Sequence, residues 1–441
     1  MKTKTYLLFT ILTFVAFSIG QAQTLLPKLQ ELFGAENIIT VDSSAYKEYY
    51  RINVPQLVDH NDRTKGIFLN RILLGFNSLS APVVMESGPY GFYRFQEEPS
   101  YKTEPTELLA ANQIIVEHRY FGKSIPDSTT FKYLTYKQVS DDFHHIRQIL
   151  TGIFPSRWIA TGHSKGGDAV LAYKFYYPND VEAIVAYGIS LTLEAEDKRF
   201  EKFIADKRQT ADGAKLYEDL IYLLKNKKRL IPEFLDFINN KELFANEDFS
   251  KYDAEILYDY SVLELGIEFW QSYGNYEKFK TGTTLNYEAL QEFGFKPKIL
   301  PASFQDKLIF TFIPPIKRLT AHYYQAFSEG GYYGYYENPF RKYLKNKDYP
   351  LSFFSGQKIV FDNTFRMAQK KWAETEMEHL MLIIADSDPW GIVCPIPFPP
   401  DKDNLRLVLK NSNHSVKLKD FEKEIRDNAV QKLKSWIQKK Y

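Results

Sequence analysis

A mainly parallel α/β sheet, interrupted by a large helical insertion and then completed, is the fold class this sequence predicts. Two observations carry that reading. Aliphatic, strand-like runs alternate with helix-compatible segments as far as about residue 190, and the same texture returns after residue 357. Alternation of this kind lays strands side by side in parallel and covers both faces of the sheet with helices.

In chain order, Gly66 to Phe76, Ala81 to Glu86 and Gln113 to Glu117 read as buried strands. Ser140 to Leu150 reads as a helix, with Phe143, Ile146 and Leu150 at helical spacing behind a Ser140 cap. Trp158 to Thr161 follows as a short strand, Asp168 to Tyr177 as a helix ending near Pro178, and Val181 to Ile189 as the strand that closes the series. From Leu191 to Gly356 the segments are long and charged, among them Ala214 to Lys225 and Tyr252 to Tyr273, and the region is expected to form a helical cap. Strand character resumes at His379 to Ala385 and Leu405 to Leu409. An amphipathic helix from Asp420 to Lys440 is expected to bury Phe421, Ile425, Val430, Leu433 and Ile437. The expected division is a leader at 1–22, a first core part at 23–190, the cap at 191–356 and a second core part at 357–441.

The chain of 441 residues carries 56 basic and 55 acidic side chains, a net charge of +1 that provides no overall field to gather nucleic acid or an anionic membrane. Its 34 Phe and 31 Tyr suit both cores and apolar pockets. Residues Met1-Lys2-Thr3-Lys4, the apolar run Tyr6 to Ile19 and Gly20-Gln21-Ala22-Gln23 have the three parts of a secretory leader, with cleavage expected after Ala22. The run is short of the ~20 residues that span a bilayer, so no lasting membrane insertion is expected after cleavage. Cys394 is the only cysteine, which rules out an intramolecular disulfide; export without one points to a bacterial envelope protein, periplasmic or secreted.

The most informative segment is Gly162-His163-Ser164-Lys165-Gly166-Gly167, set between a strand and a helix. This is a G-x-S-x-G nucleophile elbow in the context that the α/β-hydrolase fold requires, a sharp turn that only small neighbours allow. A serine nucleophile needs a histidine base held by a carboxylate, and in this fold the order along the chain is Ser, acid, His. Three histidines follow the elbow: His322 sits in the insertion, His379 precedes a strand, and His414 lies in the loop after Leu405 to Leu409, where it reaches back over the sheet. His414 is the expected base. The acid should follow the preceding strand, where spacing admits Asp386 or Asp388, with Asp388 preferred because it lies further into the loop beside the rigid Pro389. For the oxyanion, the backbone N–H of Lys165 and one from Glu86-Ser87-Gly88-Pro89-Tyr90-Gly91 are expected, Tyr90 first and Gly88 second. No cofactor is called for. Asp141, Asp142, His144 and His145 could place metal ligands a helical turn apart, but they are read as a helix face and no metal site is assigned. Lys165 is not expected to act as the base, because consecutive residues at a sharp elbow point apart.

Glu117-His118-Arg119-Tyr120-Phe121-Gly122-Lys123-Ser124, Tyr133-Leu134-Thr135, the elbow with Tyr177-Pro178 after it, Asp388-Pro389-Trp390 and Asn413-His414 together resemble the secreted tripeptidyl aminopeptidase family of bacterial serine peptidases. That family is itself similar to the prolyl carboxypeptidase and dipeptidyl peptidase group. The resemblance implies a triad of Ser164, Asp388 and His414, and favours Asp388 over Asp386. Tyr324 to Tyr333 loosely resembles an aromatic segment that lines the substrate site in the wider group, although it lacks the cysteine of the eukaryotic relatives. Tyr332 and its neighbours would then form a pocket for a proline ring.

The expected activity is removal of short peptides, tripeptide-like and after proline, from the amino terminus of a peptide substrate. An aminopeptidase needs carboxylates for the substrate ammonium, whereas a carboxypeptidase needs cations or N–H donors. Glu86, Glu117 and Glu329 adjoin the motif segments and are the expected ammonium ligands. The rival readings are an esterase or lipase on the same triad, a prolyl carboxypeptidase-like enzyme, and a non-catalytic binding protein.

Overall fold

The computed structural model describes residues 24–126, 130–155, 157–239, 244, 247–281, 317–335, 338–345, 359–394 and 396–438. The expected leader lies outside them. Nine strands form one sheet in the order β1-β2-β3-β5-β4-β6-β7-β10-β11. They are β1 (Ile38–Val41), β2 (Glu48–Leu57), β3 (Ile67–Phe76), β4 (Val83–Ser87), β5 (Asn112–Val116), β6 (Trp158–His163), β7 (Ala183–Tyr187), β10 (Leu380–Ala385) and β11 (Leu405–Leu409). β5, β4, β6, β7, β10 and β11 run parallel, while β1, β2 and β3 form an antiparallel wing joined to β5.

β4, β5, β6, β7 and β10 are buried on both faces because successive side chains face opposite helical layers, whereas the edge strand β11 exposes Arg406 and Val408. In β6, Trp158 and Ala160 join the layer packed by helices Tyr136–Leu150 and Lys165–Tyr176, whereas Ile159 faces the C-terminal helix Lys423–Ile437. The same alternation runs through Leu380, Leu382 and Ile384 against Met381, Ile383 and Ala385 in β10. Each such aliphatic side chain taken fully from water contributes roughly 1.5–3 kcal/mol, and this packing holds a chain in which no disulfide is possible. Cys394 is itself buried, and burial pushes its thiol up to about 12.

Some boundaries differ from expectation. β1 and β2 were not anticipated. β2 buries Tyr50, Ile52 and Val54 on alternate positions, but Arg51, Asn53 and Pro55 break up the apolar run that would announce a strand. The helix expected at Ser140 begins at Tyr136, where Thr135 accepts a capping hydrogen bond from the Gln138 amide. Ser140 instead donates back to the Tyr136 carbonyl at 2.7 Å, as mid-helix serines do. In the C-terminal helix Ile425 is 42% exposed, and the buried stripe is Ala429, Leu433, Trp436 and Ile437.

Between β7 and β10 the chain forms helices Lys198–Arg208, Ala211–Lys225, Lys227–Ile238, Ala254–Glu268 and Lys317–Gln325. They share a separate apolar core that includes Phe200, Leu223, Phe234, Tyr258 and Leu265. A short parallel pairing of β8 (Glu196–Asp197) with β9 (Tyr332–Tyr333) ties the end of this helical layer to its beginning. Among the described residues no helix is long and apolar enough to cross a membrane.

Candidate active site

β6 delivers Ser164 to the mouth of the sheet with φ 55° and ψ −129°, a conformation that costs a non-glycine residue about 1–3 kcal/mol. The Ser164 amide donates to the Tyr187 carbonyl at 2.9 Å, which ties the elbow to β7. The flanking glycines are required sterically. A Cβ on Gly162 would lie 2.3 Å from the Gly166 carbonyl, and one on Gly166 would lie 2.4 Å from the Ser87 carbonyl. The elbow thus sits hard against the loop that leaves β4.

β10 and β11 end beside it. His414 Nδ1 lies 2.8 Å from Asp388 Oδ2, and Asp388 is fully buried. The other carboxylate oxygen accepts the Trp390 amide at 3.1 Å, because Asp388 caps the short helix Pro389–Ile392. Asp386 accepts the Asn411 amide at 2.7 Å and serves the turn. Gly188, at φ 54°, lets the pair approach: a Cβ there would stand 2.8 Å from His414 Nδ1. His414 Nε2 is buried and makes no hydrogen bond among the described residues. Of the two other histidines after the elbow, one lies away from the cleft and one lines it. His379 Nδ1 pairs with the Glu182 carbonyl at 2.9 Å and its ring stacks on Trp436. His322 lines the cleft, where burial and then Lys165 pull it down to about 3, so it stays neutral.

A π-helical turn of the cap, Phe269–Tyr273, reaches into this arrangement. The Gln271 carbonyl accepts the His414 amide at 2.9 Å, and the Gln271 side chain accepts Trp390 Nε1–H at 2.8 Å. One cap residue therefore holds both the base loop and the acid loop.

Of the expected oxyanion donors, Gly88 gives its amide to the Val116 carbonyl at 2.9 Å. Pro89 has no N–H, and Tyr90, the next residue, lines the cleft. Lys165 opens its helix, where first-turn amides have no intrahelical acceptor. The cleft encloses about 780 Å³ open to solvent, between Ser164 and Gly188 on the sheet side and Trp390, Tyr332 and Tyr333 opposite.

None of the three expected ammonium ligands lines the cleft. Glu117 is wholly buried, its oxygens taken by Arg71, the Ser124 hydroxyl and the amides of Phe92 and Lys123. Glu86 accepts from Gln96 at 3.1 Å and Tyr101 at 3.2 Å, and burial pushes it up to about 7. Glu329 accepts the Tyr136 amide at 2.6 Å and is likewise raised by burial to about 7. Tyr332 does line the cleft, and its hydroxyl donates to that of Tyr333 at 2.8 Å.

Several residues that sequence reasoning passed over are present instead. Glu264 and Glu268 enter the cleft from helix Ala254–Glu268, hidden in the sequence because they read as ordinary charges on a helix. The Lys165 side chain turns away from solvent to His118 Nε2 at 3.0 Å and to Gln325 Oε1, and burial pulls it down to about 7. Asp142, by contrast, is structural, held by Arg119 through two contacts of 2.7 Å and by His60 at 2.8 Å. His144 pairs with Asp180 and His145 with Gln56, so the four residues do not converge. Among the described residues no group of three metal ligands forms.

Residues 27–232 match the family described as PS-10 peptidase S37. The prolyl tri/tetrapeptidyl aminopeptidase of Streptomyces mobaraensis is 24% identical over 418 residues, 88% of this chain and 80% of its own. The lysosomal Pro-X carboxypeptidase of Mus musculus is 27% identical over 187 residues, which is 38% of each chain. Among solved structures, a proline iminopeptidase of Mycobacterium smegmatis aligns with 87% of this chain and 98% of its own at 12% identity, with a TM-score of 0.38.

Proposed function

We propose that this chain, a serine exopeptidase similar to the S37 peptidases, releases short peptides from the amino terminus of oligopeptides through an acyl-enzyme on Ser164. The observation that carries the reading is the 2.8 Å contact of His414 with Asp388 beside a serine held on a strained elbow. With Nδ1 engaged by the carboxylate, Nε2 is the nitrogen left to take the Ser164 proton and later to return it to the leaving amine. Asp388 holds that tautomer and stabilises the imidazolium. The amides of Lys165 and Tyr90 are assigned to the oxyanion.

Release of three or so residues, with cleavage after proline, is favoured by the likeness over 88% of the chain to the prolyl tri/tetrapeptidyl aminopeptidase of Streptomyces mobaraensis. The aromatic wall of Tyr332, Tyr333 and Trp390 offers an apolar surface to a proline ring. Export to the periplasm or the medium is proposed from the leader pattern of residues 1–22.

The test pairs chemistry with product analysis. A fluorophosphonate should label the wild type at Ser164, and Ser164→Ala should lose at least ~1,000-fold in kcat. Mass spectrometry of products from a mixed peptide library should show short amino-terminal fragments ending in proline. Fragments from the carboxyl terminus, or full peptidase activity in Ser164→Ala, would overturn the reading.

A further inference from the structure

Resting on the aminopeptidase reading above, we infer that Glu264 and Glu268 of the cap form the site that receives the substrate's α-ammonium group. The two residues are four apart on helix Ala254–Glu268, so they share a face, and both line the cleft that contains Ser164.

Their surroundings point to a missing cation. Glu264 accepts hydrogen bonds from the Tyr333 and Tyr335 hydroxyls, and Glu268 accepts one from the Ser272 hydroxyl. These are neutral donors: they orient the carboxylates but bring no countercharge. Among the described residues, no lysine or arginine is among the groups that act appreciably on either carboxyl; Glu268 raises Glu264, and His414 is the basic group that acts on Glu268. Buried carboxylates without a cation are costly, and such groups are normally paired. Burial accordingly raises Glu264 to about 7 and raises Glu268 as well, the direction expected of acids that lack a counter-ion.

A second observation lies on the same wall. Tyr323, only 2% exposed, lines the cleft; its hydroxyl lies near that of Tyr332 but makes no well-directed hydrogen bond among the described residues, so it can still accept one from a ligand. An ammonium group has three donors. Two carboxylates and a hydroxyl can accept all three, and the desolvated charge pairing would be strong.

Kinetics on the whole chain test this with a chromogenic tripeptide anilide bearing a free amino terminus and with its N-acetylated twin. The preference of the wild type for the free amine, expressed as a ratio of kcat/KM, should fall about tenfold or more in Glu268→Gln and in Glu264→Gln. Glu268→Gln carries the test alone if loss of the tyrosine contacts prevents Glu264→Gln from folding. A wild-type preference that survives Glu268→Gln undiminished overturns the assignment and leaves the aminopeptidase reading standing. Wild-type indifference to acetylation removes both together. Hydrolysis of a small neutral ester separates binding from chemistry: if it falls in Glu268→Gln by the same factor as peptide turnover, Glu268 acts through His414 and the assignment is wrong.

Discussion

At the scale of single residues, the two aspartates after β10 show how position within one turn divides labour. Asp388 is fully buried and shares its oxygens between His414 and the Trp390 amide, while Asp386 faces the Asn411 amide two residues earlier in the same loop. Replacing Asp388 with Asn presents an amide to His414 Nδ1 and favours the wrong tautomer. Asp388→Asn should therefore lower kcat by about 1,000- to 10,000-fold with the fold intact, as read by steady-state kinetics and circular dichroism. Asp386→Asn keeps an acceptor for Asn411 and should cost under about 1 kcal/mol in stability, with kcat unchanged within a few-fold. Sequence spacing left these two residues equivalent, because both follow the strand by a few positions. What separates them is which carboxylate meets His414, a contact made across 26 residues of chain.

At the scale of elements, the π-helical turn Phe269–Tyr273 is the joint between the cap and the catalytic loops. Its Gln271 binds the His414 backbone through its own carbonyl and Trp390 through its side chain. Such turns recur at functional sites, where the extra residue frees a carbonyl or redirects a side chain. Gln271→Ala leaves Trp390 Nε1 without its acceptor and loosens the acid loop. It should lower kcat about tenfold with little change in KM, and slow fluorophosphonate labelling of Ser164 in proportion. Gln271→Glu retains an acceptor for the indole N–H and should recover most of that loss, which a purely structural defect would not predict. None of this was legible in the sequence: Tyr252 to Tyr273 read as one charged helix, and a single inserted residue in a helical turn leaves no periodic trace.

At the scale of the whole molecule, a sheet built from two separated stretches of chain carries a helical layer over its catalytic edge. The leader expected at residues 1–22 belongs to this scale, since it decides where the enzyme works. Mass spectrometry of protein recovered from the envelope or medium of an expressing bacterium should find Gln23 at the amino terminus. A start at Met1 in the cytoplasm would refute export. The parallel sheet and the elbow were legible because both are local: strands buried on two faces need continuous aliphatic runs, and the elbow needs small residues at fixed offsets from Ser164. Of the antiparallel wing only β3 was legible, since Arg51, Asn53 and Pro55 break up the continuous apolar run in β2 while its pairing with β3 still buries Tyr50, Ile52 and Val54. Glu86, Glu117 and Glu329 adjoin the motif segments but do not line the cleft, whereas Glu264 and Glu268 line it and stand far from those segments in sequence. By itself, then, the sequence determined the sheet and the elbow that carries Ser164, which depend on neighbours along the chain. Only the tertiary structure decided which acids face the cleft, because facing is a relation between the cap and the sheet that no stretch of either one contains.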